Sequence, residues 1–335
     1  MTVKLWLLCV ALAGLAAVGL EVNLLEVDLA VAPGEVHRFS FIVRNTASVA
    51  ETFMIYTGDW DRDEAGRNRF YPPGTLRRSL APWLTVAPPS FTLGPGETRE
   101  VSGTLQVPAG AAMGTHWGIV FVHGEPKPVQ REGTMVMVAK RIGVKIYATM
   151  GSGPTRGEVR RFEFLGLNPL WLAVEFVNPG LVNLREVRIE ARVYDVRGEQ
   201  LARVTPEPVP CLPESTRWVA VETGLRLAPG TYLVVVRVDT GGEEIIAAQR
   251  HLRVRPLTLI PIAGGAVPRD LDQDGLYEDV DGSGVFDETD LNLFRKRWLS
   301  PPVQGNARAF DFDNSGRVDE LDVESLGVLL AARGN

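Results

Sequence analysis

Over most of the chain, polar and apolar residues alternate in short stretches broken by turn residues. In His37-Arg38-Phe39-Ser40-Phe41-Ile42-Val43-Arg44-Asn45, the residues Phe39, Phe41 and Val43 share one face, and Arg38, Ser40 and Arg44 share the other. A period of two predicts half-buried antiparallel strands. Thr52–Tyr56, Arg99–Val107, His116–Val122 and Thr134–Tyr147 read the same way, with Ala32-Pro33-Gly34 and Gly94-Pro95-Gly96 as the turns between strands. Pro presets φ and Gly frees it, as tight turns require. About seven short strands in roughly 130 residues is the size of one immunoglobulin-like β-sandwich.

The grammar repeats after the loose stretch Gly151-Ser152-Gly153-Pro154. Leu172–Asn178 echoes the strand ending at Asn45, and Ala228-Pro229-Gly230 before Thr231–Val236 echoes Gly94-Pro95-Gly96. In Glu186–Tyr194 the residues Val187, Ile189, Ala191 and Val193 point one way, and Asp195-Val196-Arg197-Gly198 offers a hairpin turn. The expected organisation is a leader at 1–20, one sandwich at 21–152, a second sandwich of immunoglobulin or fibronectin type at 153–257, a linker at 258–268 and a small helical module at 269–335. The predicted class is mainly β, two immunoglobulin-like sandwiches followed by an α-helical module.

The pattern changes at the C-terminal end. Asp279-Val280-Asp281-Gly282-Ser283-Gly284-Val285-Phe286-Asp287-Glu288-Thr289-Asp290 places side-chain oxygens at positions 1, 3, 5, 9 and 12 of a loop and Gly at position 6. Asp311-Phe312-Asp313-Asn314-Ser315-Gly316-Arg317-Val318-Asp319-Glu320-Leu321-Asp322 repeats this 32 residues later. A hard cation of calcium's size takes six to eight oxygens at roughly 2.3–2.6 Å, and this spacing turns alternate side chains inward. The expected ligands are therefore Asp279, Asp281, Ser283, Val285, Asp287 and Asp290 in the first loop. In the second they are Asp311, Asp313, Ser315, Arg317, Asp319 and Asp322. Val285 and Arg317, at position 7, contribute backbone carbonyls. Phe286 and Val318, at position 8, are placed to pair the loops across a short strand contact. The apolar periodicity of Leu291–Leu299 and Val323–Ala332 predicts a helix after each loop.

Asp270-Leu271-Asp272-Gln273-Asp274-Gly275 repeats positions 1, 3, 5 and 6 just upstream. Because it overlaps the first loop, it is either a third site through Asp270, Asp272 and Asp274, sharing Asp279 or Asp281, or a solvated acidic linker. Asp59–Asp63 has no Gly at its sixth position and reads as an exposed hairpin tip.

Charge sharpens this picture. The net charge of −6 hides an uneven spread, since residues 269–335 hold 15 acids against 7 bases. The nearly neutral remainder has no basic stripe, which argues against nucleic acid as a partner. The 16 apolar or glycine residues of Leu5–Leu20 follow Lys4 and fall short of the ~20 that span a bilayer. They read as an export signal cut near Gly19, with an uncleaved anchor as the alternative, and no other span is expected. Loss of the leader removes Cys9 and leaves Cys211 as a buried bystander.

Two resemblances follow. Ala81–Pro88, Phe91–Glu97 and Arg141–Tyr147 resemble the first domain of periplasmic pilus-assembly chaperones. The resemblance implies that Lys145 anchors the carboxyl terminus of a fibre subunit, although Val22–Val31 offers no partner Arg. The paired loops, with Asp at position 12, resemble dockerin modules. That implies bound Ca2+ and a protein partner, cohesin-like or from the envelope, facing Glu288, Thr289, Arg295, Lys296, Glu320 and Leu321. Gly327 and Val328 stand where the second helix would repeat Arg295 and Lys296.

Together these readings favour an exported, non-enzymatic, calcium-binding protein with a docking module, secreted, periplasmic or at the cell surface. A periplasmic chaperone for fibre subunits is the alternative, and a polysaccharide-binding or polysaccharide-degrading protein is the second. The four histidines (His37, His116, His123, His251) stand apart, and His116 and His123 would face opposite sides of one strand. Of the aromatics that could meet a glycan (Trp60, Trp83, Trp117, Trp171, Trp218), Trp60 beside acids is expected to be the most exposed.

Overall fold

The computed structural model describes residues 19–131, 134–153, 155–167, 169–272 and 274–333. The expected leader therefore lies outside the described residues, apart from Gly19 and Leu20. The chain divides into two compact units, one formed by residues up to Arg62 with Asn68–Gly153, the other by Pro154 onward with Asp63–Arg67.

Strands of the first unit are β1 (Glu21–Val22), β2 (Glu26–Val31), β3 (Val36–Arg44), β4 (Glu51–Arg62), β5 (Asn68–Tyr71), β6 (Leu84–Ala87), β7 (Ser90–Leu93), β8 (Thr98–Gln106), β9 (Gly114–Gly124), β10 (Lys127–Arg131), β11 (Thr134–Val138) and β12 (Arg141–Met150). One sheet runs β1-β3-β8-β6, and the facing sheet runs β2-β12-β9-β4-β5 with β7 added to β4. Phe41 and Val43 from one sheet and Phe53, Val120, Val122, Val144 and Ile146 from the other close a single apolar core. β9, between β4 and β12, is buried along almost its whole length, as its continuous apolar run requires. Gly103 faces Phe39 across the β3–β8 pair, and the Phe39 ring lies where a Cβ would stand, so Gly is the residue that lets the aromatic cover the strand.

Three expectations are corrected here. The stretch Thr134–Tyr147 is not one strand: β11 pairs only with β10, while the Lys140 carbonyl accepts from Gly124 N and restarts the chain as β12. Trp60 is not exposed (0%), and its indole donates to the Gly118 carbonyl at 3.1 Å. Its acidic neighbours have partners: the buried Asp59 accepts from Leu76 N and Ser79 Oγ, and Asp61 pairs near the surface with Arg69. Finally, Asp59–Arg62 lies within β4, so the predicted hairpin tip begins only at Asp63.

In the second unit the strands are β13 (Glu158–Leu167), β14 (Leu170–Asn178), β15 (Leu184–Tyr194), β16 (Gln200–Val204), β17 (Val209–Cys211), β18 (Ser215–Glu222), β19 (Gly230–Asp239) and β20 (Ile245–Val254). They form the sheets β13-β14-β18 and β16-β15-β19-β20, with β17 on β15. Phe162, Leu172, Val174, Phe176, Val187, Ile189, Val193, Val234 and Val236 share one core that also holds Cys211. The echo between Asn45 and Asn178 has a structural reason. Asn45 Nδ2 donates to the carbonyls of Val49 and Leu93, and Asn178 Nδ2 to those of Val182, Cys211 and Leu212. Each buried amide ties a strand end to two separate loops.

Beyond β20 come α1 (Glu288–Arg297), α2 (Pro301–Gln304), α3 (Ala307–Phe310) and α4 (Glu320–Arg333). Leu291 and Phe294 of α1, Phe310, Phe312 and Val318, and Val323 and Leu326 of α4 make a third core. Val318 is buried and Phe286 half-buried in it, but among the described residues no strand pairs them; the isolated bridge in this part of the chain joins Arg269 and Asp279 instead. No helix among the described residues is long and apolar enough to cross a membrane.

Candidate metal centre

The two loops repeat one hydrogen-bond scheme. Gly at position 6 adopts the left-handed region, φ 92° at Gly284 and 90° at Gly316, which a side chain would strain. Its amide donates to the first aspartate, Gly284 N to Asp279 Oδ2 at 2.7 Å and Gly316 N to Asp311 Oδ2 at 2.9 Å. The position-5 amide donates to the third residue, Ser283 N to Asp281 Oδ1 and Ser315 N to Asp313 Oδ1. These bonds curl the loop until its carboxylates converge.

Position 12 closes the curl. Asp290 accepts from Asp281 N (3.0 Å) and Asp287 N (2.9 Å), and Asp322 accepts from Asp313 N (3.1 Å) and Asp319 N (2.7 Å). Each is fully buried and lies in the first turn of its helix, so one side chain connects the start of the loop to the helix that follows.

The structure thus gathers Asp279, Asp281 and Asp290 in one group and Asp311, Asp313 and Asp322 in another, with one carboxylate oxygen from each residue within 4.8 Å of the others in its group. Both groups could hold a metal ion. Asp287 and Asp319 do not join them. They cap the helices, Asp287 accepting from Thr289 N at 2.6 Å and Asp319 from Leu321 N at 2.9 Å. Ser283 Oγ and Ser315 Oγ sit beside the carbonyls of Val285 and Arg317, at 3.1 and 3.2 Å.

The electrostatics fit a cation. Burial, aided by the neighbouring aspartates, raises the carboxyl pKa of Asp290 and Asp322. Asp311 is pushed up to about 6, first by burial and then by Asp313. Asp313 shifts down despite its burial, because Ser315 donates to it. Converging carboxylates, three of them (Asp290, Asp311 and Asp322) held back from ionising by burial, with hard oxygen donors alone, are the donor set of a calcium-class ion.

The upstream run departs from expectation. Asp270 and Asp272 converge, but their third member is Glu278, not Asp279 or Asp281, and Asp274 pairs with Arg226 at 3.2 Å. Glu278 was missed because the spacing offered Asp274, and the placement of Arg226 is a tertiary fact. Glu288, Thr289, Arg295 and Lys296 are exposed on α1, as are Glu320 and Leu321 (53%) on α4. Val328 on α4 is 70% exposed.

In the first unit, Lys145 is 17% exposed, with Nζ 3.7 Å from Glu26 and 4.6 Å from the centre of the Trp60 ring. Arg62 lies over the same ring at 4.9 Å and has a buried Nη1 without a hydrogen-bond partner. Burial, and next the Arg62 charge, lower the Lys145 pKa. The first strand offers no base beside Lys145; the one over the same ring, Arg62, belongs to β4. His116 contacts Ala112 O and His123 contacts Tyr56 Oη, so the two share no site.

No curated protein matches the chain. Solved structures similar to it include the class 5 fimbriae chaperone CfaA, at 13% identity, covering 69% of this chain and 98% of that one with TM-score 0.37. Another is the E. coli chaperone DraB, at 16% identity, 70% and 98% coverage and TM-score 0.36. Residues 277–330, which contain both loops, α1 and most of α4, match the family model of the dockerin type I domain.

Proposed function

We propose that residues 269–335 are a calcium-stabilised docking module carried by an exported, non-enzymatic protein whose sandwiches occupy 21–152 and 153–257. The observation that carries this reading is the convergence of Asp279/Asp281/Asp290 and Asp311/Asp313/Asp322, each group closed by a helix-borne aspartate. The match of residues 277–330 to the dockerin type I model supports it. Ca2+ bound in each loop by its three aspartates, with Ser283 and the Val285 carbonyl completing the shell in the first loop and Ser315 and the Arg317 carbonyl in the second, removes the repulsion among them. Asp287 and Asp319 enter through water, as position 9 often does. Because Asp290 and Asp322 belong to α1 and α4, the ion also sets the helices that present Glu288, Thr289, Arg295, Lys296, Glu320 and Leu321 to a protein partner. Outside the cell an affinity of about 10⁻⁴ to 10⁻³ M is sufficient. The test is capture of partners from envelope and culture fractions by the mature chain, with calcium and with chelator. A partner held only in calcium is expected, and one held equally in both would overturn the reading.

A second reading, a chaperone for fibre subunits, is favoured by one observation: Lys145 and Arg62 share Trp60, and Arg62 retains an unpartnered buried nitrogen. Such a pair suits a carboxylate. If Lys145→Ala leaves association with every envelope subunit unchanged, this reading fails.

A further inference from the structure

We propose that Asp270, Asp272 and Glu278 form a third site for a calcium-class divalent cation, in which Arg333 acts as a built-in counter-charge that the ion displaces. The segment follows the hydrogen-bond scheme of the two loops, with Gly275 N donating to Asp270 Oδ2 at 2.7 Å and Asp274 N to Asp272 Oδ1 at 3.2 Å. Gly275 has φ 88°, like Gly284 and Gly316. An acidic turn with this shape need not bind anything; Glu278 supplies the independent evidence. Its side chain is 6% exposed, its carboxylate is turned into the cluster within 4.8 Å of the Asp270 and Asp272 oxygens, and its Oε2 is buried without any hydrogen-bond partner. A buried carboxylate oxygen left unpaired is costly, and a cation among the three acids satisfies it.

Among the described residues one cationic side chain reaches the cluster. Arg333, at the end of α4, places a single Nη2 at 3.2 Å from both Asp272 Oδ2 and Glu278 Oε1. Three carboxylates against one guanidinium leave a net charge of −2, which a divalent ion neutralises. The Arg333 side chain is 44% exposed and already lies over the Phe286 ring at 5.3 Å, so it can withdraw to that ring or to water. The twelfth position of this segment would be Asp281, which serves the first loop, so the third site is completed by water and is weaker than the other two.

The inference does not depend on the docking reading. The test is calcium stoichiometry of the full mature chain by equilibrium dialysis and calorimetric titration. Three equivalents are expected, falling to two in Glu278→Gln and in Asp272→Asn with the two tighter steps unchanged. The second variant alters a half-exposed residue and serves if the first fails to fold. Arg333→Met should tighten the weakest step about two- to fivefold, the scale of an exposed ion pair. Fewer than three equivalents in the wild type, or a third that persists in both variants, would overturn the proposal. A count of two leaves the paired loops standing, whereas zero removes them as well.

Discussion

Replacing Asp322 by Ala separates the two roles of a position-12 aspartate. Without calcium its carboxylate accepts from Asp313 N and Asp319 N, and charge-assisted bonds contribute about 1.5–3 kcal/mol each. Against this stands the burial of a charge beside Asp313, which raises the Asp322 pKa and weakens the metal-free fold. The two effects partly cancel, so Asp322→Ala should cost about 1–2 kcal/mol in chelator. In calcium at 100-fold above Kd, loss of the ion at this loop removes about 2.7 kcal/mol more. The total should then reach about 4–5 kcal/mol. All four α-helices of the described residues lie in the C-terminal module, so urea unfolding of the full chain followed by circular dichroism at 222 nm isolates it. Asp322→Asn should lose the same ion-linked stability as Ala, about 2.7 kcal/mol, but cost less than Ala in chelator because it keeps an acceptor for one amide. Equal costs in calcium and chelator would refute the idea that Asp322 is a ligand.

The remaining predictions concern pH and the sandwiches. Asp311 has a folded-state pKa of about 6 against an ordinary 3.8, so the metal-free fold holds its proton more tightly than the unfolded chain. The metal-free module should therefore lose stability as pH rises from about 4 to 6, by about 1–2 kcal/mol after solvent screening, as thermal melts in chelator would measure. Calcium requires the ionised form, so apparent affinity at the second loop should fall as pH drops below 6, which a titration series reads directly. Asn45→Ala and Asn178→Ala each leave buried carbonyls without a donor and should destabilise their own sandwich by about 2–4 kcal/mol; calorimetry should show separate endotherms moving.

The loops were legible because a calcium-type site is local: one twelve-residue segment carries its ligands, its glycine and its closing aspartate, so spacing alone reports them. The echo of Asn45 in Asn178 was also visible, but its cause, an amide tied to two loops, needed the fold. What the pattern could not convey depended on contacts from distant elements. Asp274 leaves the third cluster because Arg226 holds it, and Glu278 enters because the chain turns it inward. Trp60 looked exposed beside Asp59 and Asp61 because the partners of those acids, Ser79 and Arg69, come from other segments. Arg62 beside Lys145 escaped notice for the same reason: two strands place them on one indole. β10 and β11 pair only with each other, so the run Thr134–Tyr147 carries no sign of its break at Ala139-Lys140.

The most direct measurement of the central claim is a capture experiment with three forms of the mature chain. Wild type, the loop variant Asp279→Ala/Asp311→Ala and the face variant Arg295→Glu/Lys296→Glu are immobilised in calcium and in chelator, with bound proteins read by mass spectrometry and bound calcium counted in parallel. The account predicts one partner held by wild type in calcium, lost in chelator and in the loop variant, and weakened in the face variant while its calcium count stays at the wild-type value. A partner retained by the loop variant in chelator would contradict it.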